Sequence, residues 1–208
     1  MEFIFLIAVF LISVVLHEVS HGVVANAMGD PTAKEAGRLT LNPIPHIDPI
    51  GSILVPGFLI LMANLSGGAG IIIGWAKPVP INTYNLRDQK WGSFKVSLAG
   101  PGANLILALV FGLALRFLPL AALPPAIPHF LASIVSVNLI LALFNLVPIP
   151  PLDGSHLLFS VLPDSMRSVR MFLQQYGFFL LLIFIFFFFN WLVFLVRLLF
   201  SLIVGISL

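Results

Sequence analysis

Cysteine is absent from this sequence of 208 residues, and charged residues are scarce. Without cysteine the chain has no disulfide bond and no thiolate nucleophile, so a metal site would have to use histidine, carboxylates and water. Charged residues make up 9% of the sequence, where soluble domains carry about 25%. The formal net charge of +2 forms no basic block, so nucleic acid is not an expected partner.

Hydrophobic residues, by contrast, make up 60% of the chain and are gathered into long runs. Such runs favour helices that cross a bilayer, and they are found near 3–28, 94–118, 128–150 and 172–206. We therefore predict an all-α polytopic protein of the cell membrane, with about 5–6 membrane segments in a single domain over residues 1–208. In the last run, Asn190-Trp191 fits either a turn between two short helices or one long helix.

A further apolar run at 50–74 is less regular, because glycines interrupt it and Pro78 and Pro80 follow it. Glycine and proline both disfavour a continuous helix here. If the run re-enters on the side from which it came, or crosses twice, the basic residues of the loops all lie on one face and, Arg197 aside, only Arg116 opposes them. The positive-inside rule favours that arrangement. We expect a re-entrant or broken segment near 50–80, with the N-terminus outside and the charged loops in the cytoplasm.

The first apolar run contains the motif His17-Glu18-Val19-Ser20-His21. On a helix, the two imidazoles lie one turn apart on the same face, which is the spacing that clamps Zn²⁺ with the glutamate beside the metal as general base. Ionisable groups inside a membrane span are costly and mark functional sites. The motif therefore predicts one zinc ion per chain and hydrolysis carried out below the membrane surface.

Two histidines do not complete a catalytic zinc site, because such sites generally use three protein ligands and one open position. Asp153 is the favoured third ligand among the remaining histidines (His46, His129 and His156) and aspartates. It follows a proline-rich break at the end of a predicted span and precedes Gly154. In the re-entrant arrangement it emerges on the same side as the histidine pair. An ordinary loop with an Asp-Gly turn is the alternative.

Two motifs together resemble the site-2 protease family of intramembrane zinc metalloproteases. One is the H-E-x-x-H sequence in a membrane helix, and the other is N-x-x-P-x-P-x-L-D-G, which spans Asn145 to Gly154. The stretches 74–80 and 99–104 extend the resemblance over most of the chain. The sequence shows neither the PDZ nor the CBS modules of many members, so it resembles a minimal catalytic core.

This resemblance implies a role for each motif residue. His17, His21 and Asp153 would hold the zinc, and Glu18 would activate the water. The substrates would be membrane-anchored proteins, cleaved within or near their transmembrane segments. Asn145 is a second candidate catalytic residue, because its amide is able to hydrogen-bond the peptide or the developing oxyanion. An amide that only satisfies backbone groups freed by the prolines is an equally good interpretation of Asn145.

The stretch from Gly74 to Pro80 also has two interpretations. It is either an extended edge to which an unwound substrate adds as a strand, or a connecting loop. For the whole chain, the alternatives to a protease are a membrane protein that binds or transports metal and an inactive relative that acts as a scaffold. The glutamate between the two histidines favours the enzyme, because neither transport nor scaffolding requires a general base at that position.

Overall fold

In the computed structural model, residues 2–55, 57–58, 74–119, 124 and 126–205 are described. All regular structure in these residues is helical, which confirms the predicted all-α class. The helices are α1 (Glu2–Ala27), α2 (Thr32–Glu35), α3 (Gln89–Phe117), α4 (Ala126–Asn145), α5 (Asp153–Val161), α6 (Arg167–Ile183) and α7 (Phe189–Val204). Short 3₁₀ turns lie at Ile44–His46, Thr83–Asn85 and Asp164–Met166, and π-helical turns at Pro49–Leu54 and Phe184–Phe188.

Four helical stretches are long and apolar enough to cross a membrane. They are Ile4–Ala27, Gln89–Phe117, Ala126–Asn145 and Asp164–Val204. Each coincides with one of the runs that predicted a span, so the chain is a membrane protein. The prediction of a fifth or sixth segment falls mainly on residues 59–73, which lie outside the described part of the chain.

The last span is one long helix rather than two short ones. Helical backbone runs from Arg167 to Val204 and widens into a π-helical turn at Phe184–Phe188. Asn190 lies inside α7 and marks no turn. The helix ends at Gly205, whose φ of 83° is the left-handed conformation that commonly terminates helices.

Helix α3 packs against α1, α4, α5 and α7, and it is central to the fold. Towards its C-terminal end it contributes to an apolar core shared by three helices: Ala108, Leu115, Val135, Leu139, Val196, Phe200 and Val204. Small residues on α3 let its neighbours come close. A methyl group at Gly112 would lie 2.5 Å from the side chain of Ile203.

The loop between α1 and α3 returns to the end of the bundle from which it leaves. The backbone N–H of Trp75 donates to Gly51 O at 3.1 Å, so the two ends of the irregular segment meet. One step further along, Lys77 N donates to His46 O at 2.9 Å. The two ends of the irregular segment therefore lie at the same end of the bundle, and its path over 59–73 is outside the described residues. Residues 74–82 have no helix, as the prolines predicted.

Two buried charged residues hold this loop against α1. Asp30 accepts hydrogen bonds from the backbone N–H groups of Asn82 and Thr32 and from Asn85 Nδ2. Burial alone would raise the pKa of Asp30, but these bonds together hold it below its usual value. Arg38 donates to Lys77 O at 2.8 Å. The extended stretch 77–82 is thereby fixed beside the C-terminal part of α1.

Candidate metal centre

Asp153 is brought to α1 by a tight turn between α4 and α5. It is the first residue of α5, and the chain folds back on itself just after α4 to place it there. A methyl group at Gly154 would lie 2.3 Å from Leu146 O and 2.5 Å from Val147 O. Only glycine therefore fits at position 154, so the residue that follows Asp153 is fixed by the close approach of the backbone.

The three predicted ligands converge at the contact of α1, α3 and α5. Asp153 Oδ2 lies 3.0 Å from His17 Nε2 and 3.2 Å from His21 Nε2, and the two Nε2 atoms are 3.1 Å apart. Ligands of a tetrahedral zinc stand roughly 3.4 Å from one another, so this spacing fits the ion.

The Nδ1 atoms of both histidines are engaged on the side away from Asp153. His21 Nδ1 lies 2.7 Å from Val96 O, and His17 Nδ1 lies 2.6 Å from Asn104 Oδ1. A backbone carbonyl only accepts, so His21 Nδ1 carries a hydrogen, and in the neutral imidazole Nε2 then keeps a lone pair. This is the tautomer that a metal ligand requires.

Gly100 on α3 leaves space directly against the two imidazoles. A methyl group there would lie 2.3 Å from His21 Nε2 and 2.5 Å from His17 Nε2. Such distances are far inside van der Waals contact, so any other residue would displace the histidines. The small residue is therefore part of the centre, and it lies in the 99–104 stretch that the resemblance included.

Glu18 faces a cavity of about 400 Å³ beside the histidines. Its Oε2 accepts a hydrogen bond of 2.8 Å from the backbone N–H of Val79, which lies between two prolines on the extended stretch. Gly22 allows that approach, because a methyl group there would lie 3.0 Å from the Val79 side chain. The glutamate is therefore held on the cavity wall by the loop segment itself.

Asn145 and His156 also line the cavity. Asn145 Nδ2 donates to Leu141 O at 2.9 Å, one turn back on α4. The amide thus satisfies a backbone carbonyl while its residue reaches the cavity, so both interpretations of Asn145 are compatible with the geometry. His156 is exposed on the first turns of α5.

The other histidines do not join this centre. His46 is buried in the loop, with its Nε2 3.0 Å from Thr40 O. His129 lies near the start of α4. Within the described residues, the one group of histidine and carboxylate side chains able to hold a metal consists of His17, His21 and Asp153.

Two residues of the centre's surroundings were missed by the sequence reasoning, and a third was undervalued. Ser13 and Asn138 were not identified, and Asn104 was included only as part of the 99–104 stretch. All three are buried around His17 and hydrogen-bonded to one another. The signal available was simple: each is a polar side chain in an otherwise apolar membrane span.

Comparison with known proteins shows which family this chain resembles. Residues 120–184 match peptidase family M50. The chain is 38% identical over 185 residues to YwhC of Bacillus subtilis, an alignment that covers 86% of this chain and 78% of YwhC. It is 35% identical over 186 residues to Rip2 of Mycolicibacterium smegmatis (87% and 66% covered) and 34% over 188 residues to Rip2 of Mycobacterium tuberculosis H37Rv (88% and 67%).

The names of all three relatives describe zinc metalloproteases. No solved structure matches the chain. The similarity to YwhC extends over most of both proteins, and the family match includes the turn that carries Asp153. The chain therefore belongs to peptidase family M50, the site-2 protease family of zinc metalloproteases.

Proposed function

We propose that this protein is a multi-pass intramembrane zinc metalloprotease that hydrolyses peptide bonds of membrane-anchored proteins within or near their transmembrane segments. The observation that carries the proposal is the convergence of His17, His21 and Asp153 beside Glu18, where the two histidines and the glutamate belong to a helix apolar enough to span the bilayer. A polar cluster in such surroundings is costly, and a catalytic role accounts for its presence.

The donor set suits one zinc ion per chain, held by His17, His21 and Asp153. Two imidazoles and one carboxylate are the ligands of several catalytic zinc sites, and they leave a fourth position open. Bound zinc supplies Lewis acidity, which polarises a peptide carbonyl and makes water acidic enough to be deprotonated near neutral pH. Gly100 keeps the face of the histidines towards α3 clear.

Glu18 is placed to move the proton in this reaction. Its carboxylate takes a proton from the water that attacks the scissile carbonyl and passes it to the amine of the leaving peptide. The Val79 N–H holds one carboxylate oxygen in position at 2.8 Å. Asn145, on the same cavity, is proposed to donate its amide to the carbonyl oxygen as charge develops there.

The extended stretch 77–82 is the proposed platform for the substrate. A helical segment must be unwound before its peptide bonds become accessible, since its backbone groups are bonded to one another. Pro78 and Pro80 keep this stretch out of a helix, and Arg38 and Asp30 fix it beside α1. A substrate strand that pairs with its edge would lie along the wall that contains Glu18.

The topology proposed from the charges places this chemistry in the cytoplasmic half of the cell membrane. The loops that carry most basic residues and the start of α5 lie at the end of the bundle where α1 finishes. The positive-inside rule assigns that end to the cytoplasm. Substrates would reach the centre from the bilayer and release products towards the cytoplasm.

Zinc content and cleavage together test the proposal. Purified wild-type protein should hold about one zinc per chain, and the Asp153→Ala variant should lose most of it, because two imidazoles alone bind zinc weakly. Reconstituted in vesicles with single-span reporter proteins, the wild type should cut inside the span, as located by mass spectrometry of the products. Glu18→Gln should keep its zinc and cleave at least about 100-fold more slowly.

Full zinc in the Asp153→Ala variant would contradict the ligand set. A second outcome would favour metal storage or transport instead. In that case the wild type and the Glu18→Gln variant would both bind zinc normally, and neither would cleave any reporter.

A further inference from the structure

Three polar side chains are buried beside His17 where α1, α3 and α4 pack together. Ser13, Asn104 and Asn138 are 3%, 0% and 0% exposed. A buried amide has two different ends, one that donates and one that accepts, and an end that faces the wrong partner is destabilising. The surroundings of each amide therefore determine which way it points.

Asn138 is oriented by a backbone carbonyl of its own helix. One end of its amide lies 2.9 Å from Ile134 O and 3.0 Å from Ser13 Oγ. A carbonyl oxygen only accepts, so this end must be the NH₂ group. The other end, Oδ1, then faces Asn104 at 2.8 Å and accepts from it.

Asn104 is oriented in turn by two acceptors. Its Nδ2 faces Asn138 Oδ1 at 2.8 Å and Ser13 O at 3.3 Å. The reversed amide would place oxygen against oxygen at both contacts. Asn104 Oδ1 is therefore directed at His17, where it lies 2.6 Å from Nδ1.

We infer that Asn104 and Asn138 act as a relay that fixes the metal-binding tautomer of His17. An amide oxygen only accepts, so His17 Nδ1 must carry a hydrogen, and in the neutral imidazole Nε2 then keeps the lone pair, on the side of Asp153. A single backbone carbonyl, Val96 O, fixes the same tautomer of His21. Asn104 is a positioning residue for His17, and Asn138 positions Asn104.

This inference rests on the zinc site of the proposed function, and two substitutions at one position test it. Asn104→Leu removes the acceptor from His17. Asn104→Asp keeps an oxygen towards His17 whether the carboxyl is ionised or protonated, but it loses the NH₂ donor towards Ser13 O and Asn138 Oδ1. The aspartate variant should therefore keep the tautomer of His17 while it weakens the packing of the three helices.

Zinc affinity of the purified full chain, measured by competition with a chromophoric chelator, gives the main result. We expect Asn104→Leu to bind zinc about 10- to 100-fold more weakly, and Asn104→Asp to stay within about threefold of the wild type or tighter. Asn138→Leu should fall between them, since Ser13 O still orients Asn104. Ser133→Ala on α4, which removes a hydroxyl bonded to His129 O, is the control and should leave the affinity unchanged.

Thermal unfolding of the same samples separates positioning from stability. A purely structural role predicts that zinc affinity follows stability and that Asn104→Asp loses at least as much affinity as Asn104→Leu. That result, or wild-type affinity in Asn104→Leu, would overturn the relay. If Asn104→Leu does not fold, the aspartate variant still decides, because the relay requires its affinity to be retained.

The nitrogen chemical shifts of His17 provide a readout that is independent of zinc and of cleavage. In zinc-free protein that carries Asp153→Ala, no carboxylate faces His17 Nε2 and only the Asn104 side sets the tautomer. At a pH where the imidazoles are neutral, this protein with Asn104 intact or with Asn104→Asp should show the hydrogen on Nδ1, and with Asn104→Leu it should show a mixture of tautomers. Failure of the wild type to bind zinc would overturn the proposed function alone. A mixture with Asn104 intact would overturn the relay alone.

Discussion

Two regions of α3 differ in how they meet their neighbours. Around Gly100 and Asn104 the helix meets the two histidines, and hydrogen bonds of fixed direction hold that contact. Its C-terminal half packs Ala108 and Leu115 into an apolar core with α4 and α7. Apolar packing tolerates rearrangement at a moderate cost, whereas hydrogen-bonded groups in a membrane each need one defined partner. The division predicts which substitutions remove function and which only weaken the fold.

The largest effect is expected at the glycine that faces the metal centre. Gly100→Ala places a methyl group 2.3 Å from His21 Nε2, so the imidazoles must move and zinc binding should be lost. Gly102→Ala, two residues away on the same helix, meets nothing within 4 Å and serves as the matched control. The quantity to measure is the zinc content of both purified variants. Normal zinc in Gly100→Ala would show that the centre is looser than the geometry indicates.

A substitution in the apolar half should lower stability and leave zinc binding unchanged. Leu115→Ala empties a buried position in the core and should lower the free energy of unfolding by about 2–5 kcal/mol. Because Leu115 lies about three helical turns beyond Asn104 on α3, zinc affinity should remain at the wild-type value. Unfolding in detergent and chelator competition on one preparation test both statements. Loss of zinc in a variant that is still folded would mean that the two halves are coupled.

A smaller effect is expected from the buried carboxylate that fixes the loop. Asp30→Ala leaves the N–H of Asn82 and the amide of Asn85 without their acceptor and should free the extended stretch from α1. Cleavage should slow by about tenfold, as misplacement of a substrate platform does, while zinc content stays normal. Asp48→Ala is a suitable control, because that aspartate only caps the π-helical turn of the same loop. Equal cleavage by Asp30→Ala and the wild type would argue that the stretch is a mere connection.

The parts that the sequence predicted well are those set by local spacing. His17 and His21 share a helix face because they are four residues apart, and the proline break before Asp153 indicated that this residue emerges beside them. The spans followed from the length of the apolar runs. The sequence did not decide between one long helix and two short ones over 167–204, since asparagine is tolerated within a helix as well as at a turn.

The surroundings of the ligands could not be predicted in the same way, because they depend on how the helices align. Val96 O and Asn104 meet the two histidines only because α1 and α3 run antiparallel in one register. A shift of α3 by one turn would offer different partners, and nothing local to either helix sets that register. The same holds for the bond from Val79 to Glu18, which depends on the path of a long loop.

That bond offers a target other than the proposed zinc site. Chelating compounds compete for zinc in any protein that holds it, whereas the contact between Val79 and Glu18 lies in the loop of this protein. A lipophilic ligand that wedges between α1 and the 77–82 stretch would separate Glu18, the proposed base, from its backbone donor and leave the proposed zinc ligands in place. Selective inhibition is therefore best sought at the loop.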